Sequence, residues 1–137
     1  MNTNKQLIQL AWILRIGIAM TFIGHGMFAI SGKPNWLPYL EVVGFPLYLA
    51  ERIIVYIGYL DLLVALFILY KPYRGVVIWA FIWTLSTALI RPISGEPIWD
   101  FVERGANWAA PLALLFILKH TNQKVHKQSI SRAINPN

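Results

Sequence analysis

Two charged side chains, Arg15 and Asp61, lie inside long apolar stretches, where an isolated charge costs about 2.5–3.5 kcal/mol on insertion scales. Charges in such places pair with one another or mark a proton, ion or ligand site. Arg15 stands eight residues from the start of the first apolar stretch, and Asp61 nine residues from the end of the second. At about 1.5 Å per helical residue these are matched depths, about 12 and about 14 Å. The spacing predicts an intramembrane Arg15–Asp61 ion pair. Two roles are open to it: a lock between two helices, or a proton or ligand site.

A second set of polar residues gathers at the opposite end of the apolar stretches. His25 is flanked by Gly24 and Gly26, which let another helix or a flat ligand come close. Phe22 and His25 continue the face that carries Arg15. Arg91, Glu103, Arg104 and Asn107 belong to the same end. Glu103 and Asn107 are four apart and share a helical face; Arg104 and Trp108 have the spacing of a cation–π pair. Pro111 removes the helical hydrogen bond to the Asn107 carbonyl, leaving an acceptor free in a dry medium. His25, Arg91, Glu103, Arg104 and Asn107 are therefore the candidate ligand-binding residues, in a pocket suited to a lipophilic head group such as a quinone. The alternative is an ordinary solvated rim of charges. Thr84 and Thr87 are assigned to helix packing.

Other chemistries are excluded by what is missing. There are no cysteines, no zinc-ligand spacing and no Gly-rich phosphate loop. The remaining histidines, His120 and His126, lie at the far end from His25, so one chain cannot supply both axial ligands of a haem. No metal and no covalent cofactor is expected.

The elements that must hold these residues are apolar blocks. Hydrophobic residues are 57% of the 137, and charged residues 13%, about half the soluble norm of about 25%. The blocks predict an all-α membrane bundle with four spans at about 7–30, 46–70, 74–90 and 100–118. The first is longer than the roughly 7–15-residue core of a cleaved signal peptide, so it is expected to remain as a helix. Between the first two spans, Trp36, Tyr39, Leu40 and Val43 recur at helical spacing, either a short surface helix or a loop with scattered aromatics. Pro46 suits a helix start, and Lys71-Pro72 makes a tight turn that sets spans two and three as antiparallel neighbours. Arg91-Pro92 is expected to stop span three, and Asp100 and Glu103 have the spacing of a capping box for span four. From Lys119 to Asn137 the chain is a basic, mobile tail.

The net charge of +6 is no nucleic-acid signal, because the cations sit at the ends of the apolar blocks. Lys5, Lys71, Arg74, Lys119, Lys124, Lys127 and Arg132 fall on one side, and Lys33, Arg52, Arg91 and Arg104 on the other. The seven-to-four bias predicts that both ends of the chain are cytoplasmic and that the protein lies in the cytoplasmic (inner) membrane.

Four stretches together carry a family likeness: Phe22-Ile-Gly-His-Gly-Met-Phe28, Tyr59-Leu-Asp-Leu-Leu63, the run from Trp83 through Arg91-Pro92, and Glu103-Arg-Gly-Ala-Asn-Trp108. On these the chain resembles the DoxX family of small four-helix membrane proteins, in layout over nearly its whole length. It departs from many members at Ala29, where they carry a lysine, and at Asp61, where they carry a glutamate. The resemblance implies quinone-linked redox metabolism, including oxidation of sulfur compounds, within membrane-associated complexes.

The favoured expectation is a membrane subunit that binds a quinone or another lipophilic molecule near the outer leaflet. If it is an enzyme, it is a quinone-dependent oxidoreductase subunit in which His25 or Glu103 moves the proton. The partners implied are membrane lipid, a redox protein and a second copy of the chain. A non-catalytic anchor or scaffold is the alternative, and a small transporter a weaker one. The topology is directly testable: reporter fusions after Lys33 and Gly95 should read outside, and those after Tyr73 and at the C-terminus inside. A C-terminus that reads outside contradicts the charge argument.

Overall fold

The computed structural model describes the backbone of residues 3–134 and the side chains of residues 3–121. Every element among them is helical: α1 (Thr3–Ile30), a 3-10 turn (Pro34–Trp36), α2 (Leu37–Val42), α3 (Leu47–Tyr70), α4 (Arg74–Ile93), α5 (Trp99–Val102) and α6 (Gly105–Ile134). α1, α3, α4 and the stretch Trp99–Thr121 are each long and apolar enough to cross a membrane. Ile13, Met20, Tyr56, Leu66 and Phe116 are more than half exposed on the exterior, a surface that suits hydrocarbon.

Helix ends follow local chemistry. Gly32 adopts φ 65° just past α1, and Lys33 N–H closes back on the Phe28 carbonyl. The aromatic stripe of the connector is helical, as one of its two readings required, and Pro46 caps α3. α4 does not stop at Arg91-Pro92. It runs through Pro92 to Ile93, because Ser94 N–H closes on the Ile90 and Arg91 carbonyls and Gly95 turns the chain at φ 96°. Span four is broken. α5 ends at Val102, a turn covers Glu103 and Arg104, and α6 starts afresh at Gly105. No side chain caps α5, so Asp100 and Glu103 form no capping box. α6 continues beyond Leu118 to Ile134, so the backbone expected as a mobile tail is helical there; its side chains from 122 onward, and residues 135–137, lie outside the described residues.

Packing does not follow chain order. α1 lies along α3 and also touches α6, while α4 lies along α6; α3 and α4, although joined by a three-residue turn, pack against one another sparingly. Their apolar faces explain this. On α3 the buried residues include Ala50, Ile54, Gly58 and Ile68, and on α1 Ala19, Phe22, Gly26 and Ala29. Small residues let backbones approach. A Cβ on Gly58 would sit 2.7 Å from the Gly26 carbonyl oxygen and 2.9 Å from Ile30 N, so the two helices meet backbone to backbone. α4 buries its own small-residue stripe, Ala80, Thr84 and Ala88.

The packed core is confined to the half of the bundle nearer the Lys71–Tyr73 turn. It joins Ile18, Ala19 and Phe22 to Val64, Ala65 and Ile68, with Val77, Ala80 and Leu114 closing it. The other half, beneath the connector, is where α3 and α4 leave space.

The glycine contact predicts a contrast between two substitutions. Gly58→Ala should lower unfolding free energy by about 1–3 kcal/mol through overpacking. Gly24→Ala, whose added carbon meets nothing within 4 Å, should leave it unchanged or raise it by up to about 1 kcal/mol. Unfolding in mixed detergent measures both. Equal effects would assign the response to helix propensity rather than to contact.

Candidate functional site

Between α3 and α4, roofed by α2, lies a cavity of about 330 Å³. α3 contributes Ile53, Ile54, Ile57 and Asp61 to its wall, and α4 contributes Trp83, Ser86, Thr87, Ile90 and Arg91. The stripe read from the connector, Trp36, Tyr39, Leu40 and Val43, faces this cavity. His25 and Ala29 line it from α1, and Arg104 reaches it from the turn before α6.

The chain's geometry sets its depth. Asp61 and Trp83 each stand nine residues from the ends of their helices at the Lys71–Tyr73 turn, so they share one level. Ile53 and Arg91 lie eight residues further along, so the cavity is about 12 Å deep. Its floor carries Asp61, 2% exposed, with Trp83 at the same level on α4. The Oδ1 atom of Asp61 has no hydrogen-bond partner.

At the mouth, three side chains close a triangle. Arg91 donates to Glu96 at 2.9 Å, and its guanidinium lies over the Tyr39 ring at 5.2 Å. The Tyr39 hydroxyl donates to the other Glu96 oxygen. Burial, then the bond to Glu96, pushes the Tyr39 hydroxyl up to about 12. The Tyr39 bond, then the Arg91 guanidinium, holds Glu96 below the usual carboxylate range. Glu96 therefore contributes its stabilisation in full above the ordinary carboxylate pKa and loses it as pH falls through the lowered value. Tyr39 contributes in full below its ordinary pKa of 10.0 and loses the contribution as pH rises through about 12. The triangle ties α2 to the end of α4 across the neutral range. His25 meets the Trp36 ring edge-on at 5.5 Å, which seats the connector on α1.

Of the residues expected at a ligand pocket, His25, Arg91 and Arg104 line the cavity. Glu103 and Asn107 do not. The break before Gly105 takes them off a common helix face, and Glu103 points outward to pair with Arg104. The same break separates Arg104 from Trp108. Arg104 donates to the Asp100 carbonyl at 2.8 Å, and Trp108 stacks on Phe101. Pro111 is wholly buried and is not part of the cavity wall. Thr84 packs as expected, donating to the Ala80 carbonyl, whereas Thr87 reaches the cavity. Sequence reasoning missed Tyr39 and Glu96 as a pair, 57 residues apart, and missed Asp61 as part of the pocket. The stripe on the connector was the available signal for Tyr39.

The Arg15–Asp61 ion pair does not form. Arg15 Nε donates to the Ile68 carbonyl at 2.8 Å, a second guanidinium nitrogen donates to the Leu69 carbonyl, and the group stacks on Trp12 at 3.9 Å. These carbonyls belong to the last turn of α3, where a helix offers unpaired acceptors and a negative dipole end. The register that sets Gly26 against Gly58 sets Arg15 against Leu69. It sets Asp61 against residue 23, about 12 Å along α1 from Arg15.

No family model, curated protein or solved structure matches the chain.

This geometry predicts the outcome of a double substitution. Arg15→Leu should cost about 2–4 kcal/mol by removing charge-assisted bonds at the end of α3. Asp61→Leu should be neutral or stabilising, because it replaces an unsatisfied buried group by an apolar one. The two effects should add within about 0.5 kcal/mol, as for independent sites. Rescue of Arg15→Leu by Asp61→Leu beyond that sum would restore the ion pair.

Proposed function

We propose that the chain is a DoxX-like subunit of the cytoplasmic membrane, with both ends in the cytoplasm. In this reading it binds a quinone or another lipophilic molecule between α3 and α4, in the service of quinone-linked redox metabolism. The observation that carries the proposal is the cavity: apolar and aromatic walls, a few convergent polar groups, and a volume within the usual ligand range of about 300–1,000 Å³. Its position beneath the connector corresponds to the outer leaflet in the topology argued from charge. Ser86 is exposed at its edge, which offers a lipophilic molecule entry from the bilayer between α3 and α4. His25, Arg91 and Arg104 supply polar contacts to a head group, and the isoleucines of α3 supply contact to its substituents. Glu103 has no part in this version, so any proton transfer falls to His25 or Asp61.

The experiment is extraction of lipophilic molecules from protein purified gently in nanodiscs, followed by titration with a short-tailed quinone analogue. A near-stoichiometric quinone should co-purify. Ser86→Phe should displace it by filling the opening. His25→Ala and Arg91→Ala should each weaken analogue binding about 5- to 150-fold, the worth of one good polar contact of about 1–3 kcal/mol. A reproducibly empty protein that binds no analogue would favour the anchor or scaffold instead.

A further inference from the structure

An ionised carboxylate only accepts hydrogen bonds, through both of its oxygens. Buried acceptors without a partner are rare, and each costs about 1–3 kcal/mol. Asp61 is 2% exposed, lines the cavity, and leaves Oδ1 without a partner. No described donor of the chain reaches that atom. Arg15 is engaged at the end of α3. Among the wall's other donors, Tyr39 and Arg91 bond to Glu96, Thr87 to the Thr84 carbonyl, and Arg104 to the Asp100 carbonyl and Glu103, while His25, Ser86 and the indoles of Trp36 and Trp83 make no hydrogen bond to Oδ1. Because Asp61 lines the cavity, a molecule held there can supply the missing partner.

Two further observations narrow that partner. Trp36, Tyr39, Trp83 and His25 place four rings around the space, which favours a flat aromatic body. The charged residues on the wall are Asp61, Arg91 and Arg104, two cations to one acid, which disfavours a cationic ligand. We infer that the cavity recognises its ligand at the buried end, through a hydroxyl on an uncharged aromatic ring donated to Asp61. On the reading that the site takes a quinone-type molecule, the ionised Asp61 then prefers the hydroxyl-bearing quinol over the quinone, whose carbonyl oxygens only accept.

The test uses the full-length protein in nanodiscs and probes without redox chemistry: a 4-alkylphenol, its methyl ether, and a primary alkylamine of matched length, each titrated calorimetrically. The phenol should bind wild type about 5- to 150-fold tighter than the ether. In Asp61→Leu that ratio should fall to about one, through weaker phenol binding and unchanged ether binding. Equal binding of phenol and ether to wild type would assign the acceptor to water and overturn the inference, while leaving a lipophilic site in place. The amine binding tightest would make the site a cation site and overturn it likewise. Binding of none of the three would remove the ligand cavity itself, and with it the functional reading on which the inference rests. The wild-type comparison stands without any variant, so a folding defect in Asp61→Leu leaves it decisive.

Discussion

The backbone contact between Gly26 and Gly58 governs how the four long helices share their faces. It draws α3 onto α1 over most of its length. α4 is left to pack its Ala80, Thr84 and Ala88 stripe elsewhere, and α6 is its main partner. Two pairs form, α1 with α3 and α4 with α6, joined mainly through α1 and α6. The sequential neighbours α3 and α4 are tethered by a short turn yet have little face left for one another. A cavity between them follows from that division. In a membrane, where helix association rests on close van der Waals fit, a pair of glycines has unusual leverage.

The two ends of the bundle then differ in kind. Near the Lys71–Tyr73 turn, Phe22, Ile68, Val77 and Leu114 are buried in one core, and Arg15 seals the end of α3. Beneath the connector, α2 roofs a space instead of filling it, held by the triangle of Tyr39, Arg91 and Glu96 and by His25 against Trp36. Asp61 and Trp83 stand at the boundary between the halves. A leucine at position 61 would extend the core with no polar cost, so the acid is a burden on the fold that a donor from the cavity relieves.

Much of this architecture was legible in the sequence, for physical reasons that also mark where legibility ended. Four apolar blocks announce four spans because hydrocarbon thickness sets a length, and Lys71-Pro72 announces a turn. The stripe of Trp36, Tyr39, Leu40 and Val43 allowed a helical face or a loop, and gave no sign of what it covers. The Arg15–Asp61 pairing failed because depth was counted from the ends of apolar blocks. α1 begins at Thr3, through polar residues that continue the helix, and its register against α3 comes from a glycine contact that no single-chain count contains. Glu103 and Asn107 were misplaced by assuming one continuous helix across the break before Gly105. Tyr39 with Glu96 escaped notice because their 57-residue separation exists only in the folded chain.

The central claim, that Asp61 is the acceptor at the floor of a ligand cavity, can be read from its own vibration. Asp61 and Asp100 are the only aspartates in the chain, and Asp100 serves Arg104 through its backbone carbonyl. Protein labelled with [4-13C]aspartate and carrying Asp100→Asn therefore reports on the Asp61 carboxyl alone in an infrared difference spectrum. The account predicts that saturating 4-alkylphenol shifts the labelled carboxyl band and that its methyl ether does not. A band that stays in place while the phenol is demonstrably bound would contradict it.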